Sequence, residues 1–127
     1  MNLHQAVIIH GLDDLRFATA PGKQVTLLSA PGAASFGGCG WWAELLAAGN
    51  FTGLSLLDCG TAPGRALEAI RLGVPGLVLV CDARRFARVA EIAAYAGVLL
   101  LPAAPPALDL ALPGAKRRLA AWLDDKG

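Results

Sequence analysis

Hydrophobic positions along this chain gather into short Val/Leu/Ile runs. Each run stops at a small polar residue or a Gly/Pro turn, and an Ala-rich stretch follows. The runs occupy residues 6–9, 25–28, 54–57, 77–80 and 98–101. Near-continuous apolar runs of this length suit parallel strands, and the stretches between them have room for crossover helices.

The helices can be read between the runs. Asp13 is a candidate cap for the first, with Leu15 facing inward. The second starts near Trp41, where Trp41, Leu45 and Ala48 make one buried face, and Gly49-Asn50 stops it. Thr61 is the candidate N-cap of the third, with Pro63 in its first turn and Leu67, Ile70 and Val74 inward. The fourth spans about residues 84–95, with Phe86, Val89, Ala90 and Ala93 facing the sheet and Gly97 ending it. Residues 102–106 form a stiff connector. Residues 108–112 alternate briefly and are read as loop or edge strand. A last helix over residues 115–123 docks through Leu119, Trp122 and Leu123.

These elements predict a single α/β domain over residues 1–127: a three-layer α/β/α arrangement around a five-stranded, mostly parallel sheet of flavodoxin-like order 2-1-3-4-5. A half (β/α)8 barrel fits the same repeat. It ranks second because an isolated half barrel leaves its inner face uncovered.

Composition narrows the function classes. The 127 residues carry 11 basic and 10 acidic groups, net +1, so no global field attracts nucleic acid. No apolar run approaches the ~20 residues that span a bilayer, and the start has no signal-peptide pattern. Three cysteines without a CxxC pair argue against a disulfide framework or a zinc site and suit a reducing cytoplasm. No metal or cofactor is expected.

Parallel sheets bind ligands beyond the carboxyl ends of their strands. Here those ends bring His10, Ser29, Asp58, Cys59, Cys81 and Asp82 to one edge. In the 2-1-3-4-5 order Asp58 and Asp82 end adjacent strands, so they are expected as close neighbours, able to share a proton or a cation unless each caps its helix or pairs with Arg65, Arg84 or Arg85. Cys59, or Cys39 in the neighbouring loop, is a candidate thiolate with His10 as a partner through the fold; buried, inert thiols are the default. The loop over residues 30–40, with Gly32, Gly38 and Gly40, invites a phosphate-cradle reading, although no Lys follows its glycines. Of the adjacent Trp41 and Trp42, one is expected in the core. Arg84-Arg85 and Lys116-Arg117-Arg118 open helices where acids are preferred; a solvated face, with the arginines reaching the edge carboxylates, is the default, and binding of an anion is the functional alternative.

The length and five-strand plan resemble the receiver domains of bacterial response regulators. Asp58 lies at their phosphoacceptor position, Pro63-Gly64 echoes the following loop, and Asp13-Asp14 follows the first strand as their acidic pair does. The chain departs where receivers carry Ser or Thr and then Lys: it has Cys81-Asp82 and Leu101-Pro102, and Gly11-Leu12 displaces the acidic pair. Without the Lys, a phosphoryl group lacks its usual partner. The Ser/Thr-rich phosphate loop of flavodoxins is absent too, which argues against FMN.

Together the residues point to a non-catalytic binding or regulatory module. It would use the carboxyl edge for a small anionic ligand, with Ser29, Gly32, Gly38, Gly40, Thr61, Arg65, Arg84 and Arg85 as contacts, or an apolar patch for self-association into a homo-oligomer. The competing class is a small enzyme using Asp58 and Asp82, with Cys59 or His10 assisting; a degenerate receiver-like domain is a further alternative. Aspartates tied up within the fold favour the module.

Overall fold

The computed structural model describes residues 3–125; the two residues at either end of the 127-residue sequence lie outside them. In chain order the elements are β1 (Ala6–Ile8), α1 (Leu12–Thr19), β2 (Thr26–Leu28), α2 (Ala33–Phe36), α3 (Cys39–Ala48), β3 (Ser55–Asp58), α4 (Pro63–Arg71), β4 (Gly76–Val78), α5 (Ala83–Ala96), β5 (Leu99–Leu101), β6 (Ala107–Asp109) and α6 (Ala115–Asp124). The fold is α/β, with a parallel sheet flanked by helices, as the repeat predicts.

Two particulars of the sheet differ from expectation. It has six strands rather than five, and their order is β5-β4-β3-β2-β1-β6 rather than 2-1-3-4-5. The added strand is β6, within the segment read as loop or edge strand; it pairs parallel to β1 through Leu108 opposite Val7. Local alternation marks a strand but not its partner, so the pattern along the chain does not specify this order. From β1 to β5 every crossover steps the same way, so right-handed connections place their helices on one face. This consecutive order belongs to the (β/α)8 alternative. The plan behind the receiver resemblance is not formed.

Packing agrees. Buried residues of all six helices, among them Leu15, Ala34, Trp42, Ala66, Val89 and Leu119, join one cluster with the strand side chains Val7, Leu27, Leu57, Leu77 and Leu108 and with Ile9 just past β1. The alternate strand positions form a second cluster of Leu28, Leu56 and Val78, with Ile8, Leu99, Leu101 and Ala107 against it, all from strands. Leu28 is nevertheless only 2% exposed, and Leu56 and Val78 are 0% exposed.

The connection from β5 to β6 explains that burial. Only residues 102–106 separate Leu101 from Ala107, and a chain of that length reaches at most ~20–22 Å. In a flat sheet the two outer strands would stand ~24 Å apart, and the chain must also return to the amino end of β6. The sheet is therefore curled, and the second cluster lies on its inner side. Within it, β3 pairs with β2 through Ser55 and Leu56 but with β4 through Leu57 and Asp58.

Helix ends refine several sequence expectations. Asp13 is not the cap of α1: Gly11 holds that position, and Asp13 and Asp14 sit in the first turn, where the dipole favours acid. Ala62, not Thr61, precedes α4, with Pro63 at its start. Asp82 caps α5 by accepting the Arg85 N–H at 2.9 Å, and Gly97 ends it at φ 74. α3 begins at Cys39, two residues earlier than expected, so its buried face is Cys39, Trp42, Leu45 and Leu46. Trp41 is half-buried and Ala48 exposed. α6 is tied to β1 by Trp122, whose indole N–H donates to the Ala6 carbonyl at 2.7 Å.

Candidate functional site

The carboxyl ends of the strands collect most of the candidate side chains, but each is engaged differently. Strand alternation sets His10, Asp58, Val80 and Asp109 in line with Ile8, Leu56, Val78 and Ala107, on the inner side of the sheet. Ser29, Cys59 and Cys81 alternate with them.

Asp58 is 7% exposed. One oxygen, Oδ1, accepts the Gly60 N–H at 2.8 Å and the Gly32 N–H at 3.1 Å. Its own N–H donates to the Ser29 Oγ at 2.8 Å, and that hydroxyl in turn donates to the Ala30 carbonyl at 3.2 Å. Gly32 and Gly60 adopt φ 68 and 57, which lets their amides converge on one point. The glycine loop thus does hold an anion, but the anion is the chain's own carboxylate. Ser29 is fully buried. Ser29 and Gly32 are structural partners of Asp58, not free ligand contacts.

Asp82 turns to its own helix. Besides capping α5 it faces the Arg85 guanidinium, with Nε 3.6 Å from Oδ2. Asp58 and Asp82 therefore bond to different partners. Among the described residues, no group of three or more His, Cys, Asp or Glu is placed to hold a metal ion.

The three thiols are free. Cys39 is buried and donates to the Arg65 carbonyl at 3.3 Å. Burial, with help from Glu68, pushes its pKa up to about 11 against the pull of Arg65. Burial also pushes Cys59 up to about 12, with Cys39 and Asp58 adding to the effect. Both thiols are thereby held protonated near neutral pH, which counts against Cys59 as an activated nucleophile. Cys81, half-exposed, lies 3.6 Å from the Asp82 carbonyl.

His10 meets a residue that the sequence did not single out. Its Nε2 lies 2.7 Å from Oδ1 of Asp109, at the end of β6. The His10 backbone N–H donates to Asp14 at 2.9 Å, and Asp109 also accepts the Ala111 N–H at 2.9 Å. Burial raises the Asp109 pKa, but the Ala111 N–H and His10 outweigh it and hold the carboxyl below its usual range. Beside this pair an open depression of ≈ 360 Å³ is lined by His10, Gly11, Leu12, Asp13 and Asp14. Only the pairing of β6 with β1 brings Asp109 there, and nothing local in the sequence signals that pairing.

The remaining predicted contacts are at the surface. Thr61, Arg65, Arg84 and Arg85 are exposed around the starts of α4 and α5. Arg65 bonds Glu68 at 3.1 Å, which holds the Glu68 carboxyl below its usual range. Gly38 precedes α3 at φ 86, and Gly40 is exposed within its first turn. Among the described residues, no helix is long and apolar enough to cross a membrane. Comparison with protein-family models, with curated proteins and with solved structures finds no match to this chain.

Proposed function

We propose that the chain is a non-catalytic binding module that takes a small anionic ligand at the carboxyl edge of its sheet, in a cytoplasmic setting. The observation that carries this reading is the engagement of Asp58 by two backbone amides. With Asp82 spent on a helix cap and Cys39 and Cys59 held protonated, the acids and thiols first considered for catalysis are occupied. Arg65, Arg84 and Arg85 remain at the surface on the neighbouring helices α4 and α5, and Thr61 in the turn before α4. Calorimetric titration with inorganic phosphate and with citrate tests it. Saturable binding is expected, weakened roughly tenfold or more in Arg84→Ala, the loss of one charge-assisted hydrogen bond. Binding that is absent, or unchanged in an Arg65→Ala/Arg84→Ala double variant, overturns it.

The 2.7 Å contact between His10 and Asp109 favours a second reading, a small enzyme in which the carboxylate orients the imidazole as a general base. Turnover of ester or phosphoester substrates that disappears in His10→Asn would place this reading first.

A further inference from the structure

The amino ends of the strands carry a cleft that none of the carboxyl-edge residues touches. It encloses ≈ 450 Å³ between the start of β2 and the turn that joins α3 to β3. That volume falls within the range of small-molecule sites, ~300–1,000 Å³. Its polar wall holds His4, Lys23, Gln24, Asn50 and Thr52, and its apolar wall includes Phe51. No Asp or Glu lines it.

Three features make the cleft a formed site. Asn50 is the only described non-glycine residue at positive φ, 53°, which fixes the turn leading into Phe51. The Phe51 ring lies over Gly53 so closely that a Cβ there would stand 2.7 Å from its Cζ. The tip of the ring thus rests against the turn, and any side chain at position 53 would displace it. Lys23 reaches out to Asp124 of α6 in an exposed ion pair, so its ammonium is held at the rim and already prefers a carboxylate.

We propose that this cleft binds a small aromatic carboxylate, with the acid group on Lys23 in place of Asp124 and the ring against Phe51. The polar lining offers amide and imidazole donors beside the ammonium, and the carboxylate on that ammonium, Asp124, stands exposed at the rim, where a ligand acid can replace it. The apolar wall includes the Phe51 side chain, which offers a planar ring an aromatic partner. The site is separate from the carboxyl-edge reading and stands or falls independently of it.

The test is titration of the full chain with benzoate and with neutral benzamide, followed by amide NMR shifts and calorimetry. Benzoate is expected to shift Lys23, Asn50, Phe51 and Gly53 and to bind roughly tenfold tighter than benzamide, the worth of one charge-assisted contact. Lys23→Gln should bring benzoate down to the benzamide level, and Asp124→Asn should tighten it by freeing the ammonium. Gly53→Val should abolish both while Glu91→Ala, exposed on α5 and outside both sites, leaves them unchanged. Lys23 and Asp124 are exposed, so these two variants keep the test open even if Gly53→Val misfolds. Three results overturn the proposal: shifts confined to the carboxyl edge, no saturation with benzoate, or an anion preference that survives Lys23→Gln.

Discussion

Asp58 shows how far single residues could be read from the sequence. Its place at a strand end was legible from the apolar run before it, and so was the glycine loop that holds it. Their relationship was not, because Gly32 and Asp58 are 26 residues apart and meet only once β2 and β3 pair. Asp109 was less visible still, since its partner His10 lies 99 residues away. A measurable consequence follows from that contact. The native Asp109 carboxyl titrates below its usual range, because the Ala111 N–H and His10 outweigh the opposing effect of burial. As pH falls, the unfolded chain binds this proton first. The contribution to stability is therefore complete above the ordinary carboxylate range and is lost as pH falls through the lower native value. Urea midpoints compared between about pH 6 and about pH 3 should fall less steeply in Asp109→Asn than in the parent chain. Parallel acid limbs would show that the contact carries no linkage.

At the level of elements, the start and end signals of most predicted helices were legible to within a residue or two, but α2 (Ala33–Phe36), inside the segment read as a glycine loop, was not. Asp82, Pro63 and Gly97 all act at the helix ends where their chemistry suggests, whereas α3 was displaced by two residues because the glycines around Cys39 read as loop. Two glycines of neighbouring elements, indistinguishable by type, are predicted to respond with opposite signs. A Cβ on Gly76, at the start of β4, would stand 2.7 Å from both the Leu56 Cδ2 and the Ser55 carbonyl oxygen. The leucine tip can turn away, but the backbone oxygen of β3 cannot without breaking the pairing, so Gly76→Ala should cost about 1–3 kcal/mol. Gly64, in the first turn of α4, has nothing within 4 Å and no positive φ. Gly64→Ala should stabilise by about 0.4–1 kcal/mol, chiefly by restricting the unfolded chain. Chemical denaturation of the two variants checks the pair, and a shared sign would refute the packing account of Gly76.

At the scale of the whole molecule, the short β5–β6 connection is what lets a one-sided set of helices coexist with two buried sheet faces. The half-barrel alternative ranked second because its inner face would lie open. The sixth strand removes that objection: by pairing with β1 while staying within reach of β5, it forces the curl that shelters Leu28, Leu56 and Val78. The sequence hid this, because residues 102–106 look like any Pro-rich linker and three residues of β6 carry little pattern. The reach of the connector makes its length asymmetric in effect. Ala103 and Ala104 are exposed, so deleting them removes almost no packing. The remaining three residues would span only ~13–14 Å, and the deletion is expected to leave them too short for the present pairings of β5 and β6. The shortened chain must give up either β6 on β1, with the Trp122 to Ala6 hydrogen bond that anchors α6, or β5 on β4. Inserting two alanines instead adds only loop entropy, a few tenths of a kcal/mol. Urea unfolding should therefore show a large loss of stability and a smaller m-value for the deletion, since less surface is buried in what still folds. The insertion should leave both almost unchanged. If the deletion is tolerated as well as the insertion, the connector does not set the curl, and the burial of the inner face must come from the strands' own twist.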